Sequence, residues 1–225
     1  MSSSSDAVLL PSMAAGSEII IVTVGAEGKE YHLHTSLLMH YSGYFRGALS
    51  GAFKETDEGV VSLLDIDTDA FDVFVDWLYR GTLRSDLEYV RLNPSSGLAT
   101  ACRAYVLADR LLVPSLKSAL MDGYFDKNMR ALDKWYPSCR RIIHAFENLA
   151  ENDPLLRLYV DWWAFNHIVY KMDGYDRVLV PELPPTFLVR LVGKMNDEGK
   201  KSLSRSRLKR KDYDEATTAD RKEEY

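Results

Sequence analysis

The chain has 225 residues, of which 46% are hydrophobic and 27% charged, and its formal net charge is −5. This composition is typical of a globular protein and excludes a collagen-like, coiled-coil or wholly disordered chain. No stretch reaches the ~20 apolar residues of a membrane helix, and the two cysteines have no CxxC spacing, as in reduced intracellular proteins. We therefore expect a nuclear or cytoplasmic protein with no membrane partner.

The first half of the chain has the pattern of an α+β domain. Residues 1–14 begin with a polar Ser-rich stretch, which predicts a disordered leader. Ile19–Val24 is rich in β-branched residues and predicts a strand, residues 29–34 predict its hairpin partner, and Val60–Leu64 predicts a third strand. Apolar residues at helical spacing then predict an amphipathic helix, on Phe71, Phe74, Val75, Leu78 and Tyr79. Two more helices are expected at about 97–111 and 115–130.

The second half has no comparable strand pattern and predicts an all-α extension over residues 131–198. One helix begins at Pro137, the next at Pro154 and a third near Pro184. The helix from Pro154 carries Trp162 and Trp163, and two adjacent tryptophans cannot point into the same core. Either one of them is exposed at an interface, or helices pack on both sides. Beyond Met195 the apolar signal ends, and residues 199–225 are predicted to be a disordered charged tail.

The charge of this tail is unevenly distributed. Residues 200–211 carry seven bases and no acid, residues 212–225 carry six acids and two bases, and residues 1–199 therefore sum to −8. Because phosphate contacts supply most nucleic-acid affinity, the acidic body disfavours nucleic acid as a partner. The basic run predicts a nuclear-localisation segment, with a solvated tail as the alternative. Its bases are Lys200, Lys201, Arg205, Arg207, Lys209, Arg210 and Lys211.

Short motifs between Glu18 and Phe125 resemble, in their order and spacing, the BTB/POZ family. They are Tyr31-His-Leu-His34 with Leu38, Ser42-Gly-Tyr-Phe45, Phe53-Lys-Glu55, Ala70-Phe71, Leu78-Tyr-Arg-Gly81 and Ala108-Asp-Arg-Leu111. The resemblance implies a BTB/POZ-type helical domain with a small three-stranded sheet at residues 15–130. The helical half is similar to the C-terminal region of BTB proteins from filamentous fungi, at Asp153-Pro-Leu-Leu-Arg157 and Leu183-Pro184.

The family resemblance implies a non-catalytic scaffold that binds other proteins, itself included. Family members homodimerise, act as scaffolds, or adapt substrates to cullin-type ubiquitin ligases. Adaptors hold the cullin with a hydrophobic-x-Glu motif before the third strand, where this chain has Phe53, Lys54 and Glu55. A cullin adaptor is thus the alternative, with residues 126–198 recognising the substrate. An alternative for the motif is that Phe53 covers the core and Glu55 is solvated. A second alternative for the function is a nuclear regulatory protein that uses the basic tail.

The residues that could carry chemistry lack partners in the sequence. No nucleophile elbow, phosphate-binding Gly loop or HExxH occurs, so we predict no enzymatic activity and no cofactor. His32 and His34 share a strand face but lack a third ligand at metal spacing, and the family resemblance makes His34 a structural histidine. Asp65, Asp67 and Asp69 are interpreted as acids that cap the start of a helix rather than as calcium ligands, because Ala70 stands where a calcium loop needs glycine.

Overall fold

The structure is a computed structural model that describes residues 9–50, 59–83, 97–125, 137–166, 174–198 and 208–214. The chain divides into two compact units, Met1–Leu120 and Met121–Tyr225, called unit 1 and unit 2 below. This division falls earlier in the chain than the boundary predicted at residue 130. Within the described ranges, no helix combines the length and apolar character that crossing a bilayer requires.

Unit 1 contains the predicted three-stranded sheet. Its strands are β1 (Ile19–Val24), β2 (Lys29–His34) and β3 (Val60–Leu63). β1 is central, antiparallel to β2 and parallel to β3. Gly25 and Gly28 have positive φ in the β1–β2 turn, a conformation that glycine adopts without steric cost. In β1 and β2 the buried side chains alternate with more exposed ones, so one face of the sheet covers the core.

The described residues of unit 1 also contain helices. They are α1 (Pro11–Ala14), α2 (Thr35–Tyr41), α3 (Gly43–Ala48), α4 (Thr68–Arg80), α5 (Gly97–Arg110) and α6 (Pro114–Phe125), which continues into unit 2. α4 is the predicted amphipathic helix, and its Phe71 and Phe74 are fully buried. The Asp67 carboxylate accepts a hydrogen bond from the Ala70 N–H at 2.9 Å, which confirms the capping interpretation. Gly81, with φ of 70°, ends the helix.

The chain before β1 differs from the prediction of a disordered leader at residues 9–14. α1 begins with Pro11 at its first turn, where the missing N–H has no cost, and its Ala14 is buried. The Tyr41 hydroxyl donates a hydrogen bond to the Leu9 carbonyl at 3.1 Å. These contacts come from α2, so the local sequence alone does not reveal them. Residues 1–8 lie outside the described ranges.

The regular elements of unit 2 among its described residues are all helices. Its helices are α7 (Cys139–Asn148), α8 (Pro154–Asn166), α9 (Gly174–Leu179) and α10 (Pro185–Glu198), with 3₁₀ turns at Val180–Glu182 and Arg210–Tyr213. α8 contacts both α7 and α10. Trp162 and Trp163 are both buried, so helices packing on both sides explain the tryptophan pair and exposure at an interface does not.

Residues 208–214 also differ from the predicted disordered tail. Leu208 and Tyr213 are buried, and the segment contacts α8 of the same unit. The charges of this stretch predict a solvated tail, whereas its two apolar side chains find partners only in the folded unit. The other predicted tail residues, 199–207 and 215–225, lie outside the described ranges.

Candidate protein-binding surfaces

A buried joint at Ser42 and Gly43 positions α3 against the turn between α5 and α6. The Ser42 hydroxyl donates to the Leu111 carbonyl at 2.6 Å and accepts from the Phe45 N–H at 3.2 Å. The Gly43 N–H donates to the Leu112 carbonyl, and a Cβ at Gly43 would lie 2.9 Å from that of Leu112. Glycine is therefore the residue that lets the two backbones approach this closely.

This joint fixes the helix that leads into the predicted cullin contact. α3 ends at Ala48 and β3 begins at Val60. The predicted contact residues Phe53, Lys54 and Glu55 fall between these two elements and lie outside the described residues.

A polar cluster connects β2 to α4. The Tyr31 hydroxyl donates to the Asp72 carboxylate at 2.6 Å, and the Lys29 ammonium pairs with the same carboxylate at 2.8 Å. Burial, aided by Asp72, raises the pKa of Tyr31 to about 12. The hydrogen bond to Asp72 raises the pKa of Lys29 above its usual value. The cluster therefore stays ionically paired at neutral pH and joins sheet to helix, which is a structural role.

The histidines and cysteines have structural surroundings as well. His34 Nδ1 lies 2.9 Å from the Tyr79 hydroxyl, which confirms the prediction of a hydrogen-bonded structural histidine. Cys102 and Cys139 are both buried free thiols, and the Cys139 N–H donates to the Asp176 carboxylate at 3.0 Å. Among the described residues, no three metal-ligating side chains come together.

Three large apolar side chains near the start of unit 1 are exposed. Leu10, Met13 and Ile19 are 52%, 69% and 57% exposed and are called the N-terminal apolar face below. Leu10 precedes α1 with extended backbone, and Met13 lies within that helix three residues later. This face was not predicted, because residues 1–14 have the polar start of a disordered leader. The available signal was Pro11, which favours a first helical position.

Unit 2 presents a second exposed apolar surface along α10. Four large apolar side chains project from this helix, Leu188, Val189, Val192 and Met195. Its basic side chains are engaged elsewhere, since Arg190 pairs with Glu151 at 2.8 Å and Lys194 with Asp161 at 3.0 Å.

The predicted nuclear-localisation residues are only partly described. Lys200, Lys201, Arg205 and Arg207 lie outside the described ranges. Lys209 and Lys211 are exposed. Arg210 is instead ion-paired, with Asp122 at 2.6 Å and with Asp214 four residues further on.

The comparisons with known proteins place a family on unit 1. The BTB/POZ domain family model matches residues 15–122. Kelch repeat and BTB domain-containing protein 4 of Homo sapiens is 35% identical over 63 residues, 28% of this chain and 12% of that protein. Kelch-like protein 21 of Danio rerio is 37% identical over 60 residues, 27% of this chain and 10% of that protein.

A solved structure, the BTB (Tramtrack and Bric a brac) domain of human Gigaxonin, shares 20% identity with this chain. The superposition of the two structures covers 46% of this chain and 74% of the Gigaxonin chain, with a TM-score of 0.36. The matches to the two Kelch proteins span about an eighth or less of the length of those proteins. The similarity of residues 131–198 to fungal proteins stays a prediction. Residues 15–122 of this chain are a BTB/POZ domain, a non-catalytic protein-interaction module.

Proposed function

We propose that the chain is a scaffold that forms a homodimer through the N-terminal apolar face of its BTB/POZ domain. The observation that carries this proposal is the exposure of Leu10, Met13 and Ile19, each more than half open within nine residues of one another. Burying a fully exposed side chain of this size contributes roughly 1.5–3 kcal/mol, so each of these half-exposed side chains contributes about half of that. A two-fold interface buries the same residue in both copies, so three residues per copy place six apolar side chains in the interface.

The way α1 is held supports the same proposal. Ala14 is buried, the Tyr41 hydroxyl holds the Leu9 carbonyl, and the Ser36 hydroxyl donates to the Ser17 hydroxyl at 2.9 Å. The exposed side chains therefore stand on backbone that is already ordered. Binding then costs less conformational entropy than it would from a flexible segment.

Sedimentation equilibrium of the full chain over a range of concentrations tests this proposal. We expect the wild type to reach the dimer mass, and a variant carrying Leu10→Glu and Met13→Glu to stay monomeric over the same range, because two charges per copy would be buried. Ser12→Glu is the matched control, since Ser12 is an exposed polar residue of the same helix. A monomeric wild type contradicts the proposal, and so does a variant that still dimerises, which would direct attention to α10.

A second candidate function is that of a substrate adaptor for a cullin-type ubiquitin ligase. It is favoured by the place of Phe53, Lys54 and Glu55, which follow α3 and precede β3 as the hydrophobic-x-Glu motif of BTB adaptors does. An aromatic anchor beside a carboxylate suits the centre of a protein interface. The adaptor proposal does not depend on self-association.

A titration of the full chain with a cullin N-terminal domain tests the adaptor proposal. We expect micromolar or tighter binding that Phe53→Ala and Glu55→Ala each weaken at least tenfold, which is ~1.4 kcal/mol per variant. Lys54→Ala is the matched control, because the motif leaves its middle position open. Absence of binding by the folded wild type rejects the adaptor function and leaves the scaffold.

A further inference from the structure

Unit 2 holds residues 208–214 on the surface of α8 through two apolar side chains. Tyr213 is 4% exposed and Leu208 is 7% exposed. The Tyr213 hydroxyl donates a hydrogen bond to the Asp161 carboxylate at 2.7 Å, and its ring centroid lies 5.5 Å from that of Phe125. Burial and the Asp161 charge raise the pKa of Tyr213, so its phenol remains a neutral donor. These seven residues are called the 208–214 segment.

A third residue of the segment, Arg210, is held by ion pairs. Arg210 Nε donates to the Asp122 carboxylate of α6 at 2.6 Å, and the same guanidinium contacts Asp214 inside the segment. Lys209 and Lys211, on either side of Arg210, are exposed. The unit thus recognises positions 208, 210 and 213, which is the pattern apolar-x-Arg-x-x-Tyr.

The surface under the segment is suited to losing and regaining a ligand. Asp122, Asp161 and Arg157 line it, and charged side chains tolerate exposure to water when a bound segment leaves. The Asp122 side chain is 64% exposed, so its ion pair with Arg210 contributes at most ~1 kcal/mol. A single 3₁₀ turn held by two apolar anchors belongs to the part of a protein that opens locally at low free-energy cost.

The surface also offers donors that the segment leaves unused. The Arg157 guanidinium lies 5.8 Å from the Tyr213 ring centroid. Its Nε and Nη2 are buried and have no hydrogen-bond partner among the described residues. Because an unpaired buried donor costs free energy, a peptide that presents an acceptor to Arg157 gains over the chain's own segment.

We propose that this surface of unit 2 is a peptide-binding site, occupied here by the 208–214 segment and taken over by a partner protein that carries an apolar-x-Arg-x-x-Tyr sequence. The tethered segment acts as an intramolecular competitor, with an effective concentration that a linker sets in the millimolar range. A partner therefore binds measurably only when it exceeds that competition. The site lies in unit 2 and is independent of both the N-terminal apolar face and the cullin motif.

A fluorescence polarisation titration with a labelled peptide of residues 206–216 tests the proposal. The receptors are the full wild-type chain and a full-chain variant with Arg210→Glu and Tyr213→Ala, whose own segment no longer competes. We expect the variant to bind the peptide at least tenfold more tightly than the wild type. A peptide with Tyr213→Ala should lose binding, whereas Lys211→Ala, at an exposed position, should leave it unchanged.

Two further variants keep the result interpretable. Arg210→Glu alone serves as receptor if circular dichroism shows that the double variant is unfolded. It leaves both apolar anchors in place and removes an ion pair of at most ~1 kcal/mol, so its expected gain over the wild type is up to about fivefold. Asp161→Asn added to the released receptor should weaken the peptide, because the Tyr213 hydroxyl loses a charged acceptor. Three outcomes each overturn the proposal. The peptide does not bind the folded released receptor, it binds the released receptor and the wild type equally, or the Tyr213→Ala peptide binds as tightly as the unchanged peptide. None of these outcomes bears on dimer mass or cullin binding.

Discussion

Replacing Ser42 with alanine tests the joint that places α3 in the BTB/POZ domain. The hydroxyl makes two hydrogen bonds inside a site that is 0% exposed. Loss of a helix-capping hydroxyl costs typically ~1 kcal/mol. The Leu111 carbonyl loses its 2.6 Å donor but keeps the Tyr44 N–H at 3.2 Å, so this second loss is a net hydrogen bond of ~1 kcal/mol and not a fully unpaired carbonyl. The expected destabilisation of unit 1 is therefore about 2 kcal/mol.

The assay has to report on unit 1 alone, because two compact units need not unfold together. Native-state hydrogen exchange in increasing urea, read on peptides that cover α3 and the start of α6, gives the opening free energy at the joint itself. Ser50→Ala is the matched control. Ser50 is exposed and its hydroxyl donates to the Gly47 carbonyl at 3.0 Å at the other end of the same helix, so we expect a change below ~0.5 kcal/mol.

A Ser42→Ala variant that opens within ~0.5 kcal/mol of the wild type would refute this reasoning. It would mean that water or a neighbouring group replaces both bonds in a site from which solvent is excluded. Equal losses for Ser42→Ala and Ser50→Ala would also contradict it, because burial would then make no difference to the value of a serine hydroxyl.

Two further predictions concern alkaline stability and the core of unit 2. Lys29 and Tyr31 hold their protons more tightly in the folded state than in the unfolded state, where their pKa values are about 10.4 and 10. The unfolded state therefore releases these protons at a lower pH than the folded state. We expect the free energy of unfolding of unit 1 to fall as pH rises above ~10, and Tyr31→Phe to make that fall less steep. Denaturant titrations from pH 8 to 11 measure both. Trp163→Phe removes the 2.9 Å hydrogen bond from the indole to the Pro137 carbonyl and leaves a buried gap, so we expect thermal unfolding of unit 2 to show a loss of about 1–3 kcal/mol.

The elements that the sequence predicted correctly are those whose pattern is local. Ile19–Val24 shows the strand pattern in its β-branched residues, and the helix from Thr68 shows its apolar stripe over three turns. Its cap at Asp67 and its end at Gly81 are likewise decided by the backbone needs of single residues. The structure adds the reason for the Ser42-Gly motif, which is a close backbone approach to Leu112 that no pattern of hydrophobicity encodes.

The elements that the sequence missed are short and ordered by distant contacts. α1 has four residues and is held by Tyr41, and the 208–214 segment is held by Asp161 and Asp122. Helices this short have no intrinsic stability in water, so their propensities carry little information. The N-terminal apolar face could not be predicted from the sequence for the same reason. Which side of α1 faces water depends on how that helix docks, and docking is a tertiary event.

The predicted nuclear-localisation signal and the proposed peptide-binding site both involve Arg210. A receptor that reads Lys209, Arg210 and Lys211 as part of a nuclear-localisation signal needs the Arg210 guanidinium, which the folded unit holds against Asp122. Such a receptor draws the 208–214 segment off its site and leaves that site open to another peptide. A partner peptide that displaces the segment in turn releases the same guanidinium. Because coupling free energies between two binding events are reciprocal, each ligand must strengthen the binding of the other by the same factor.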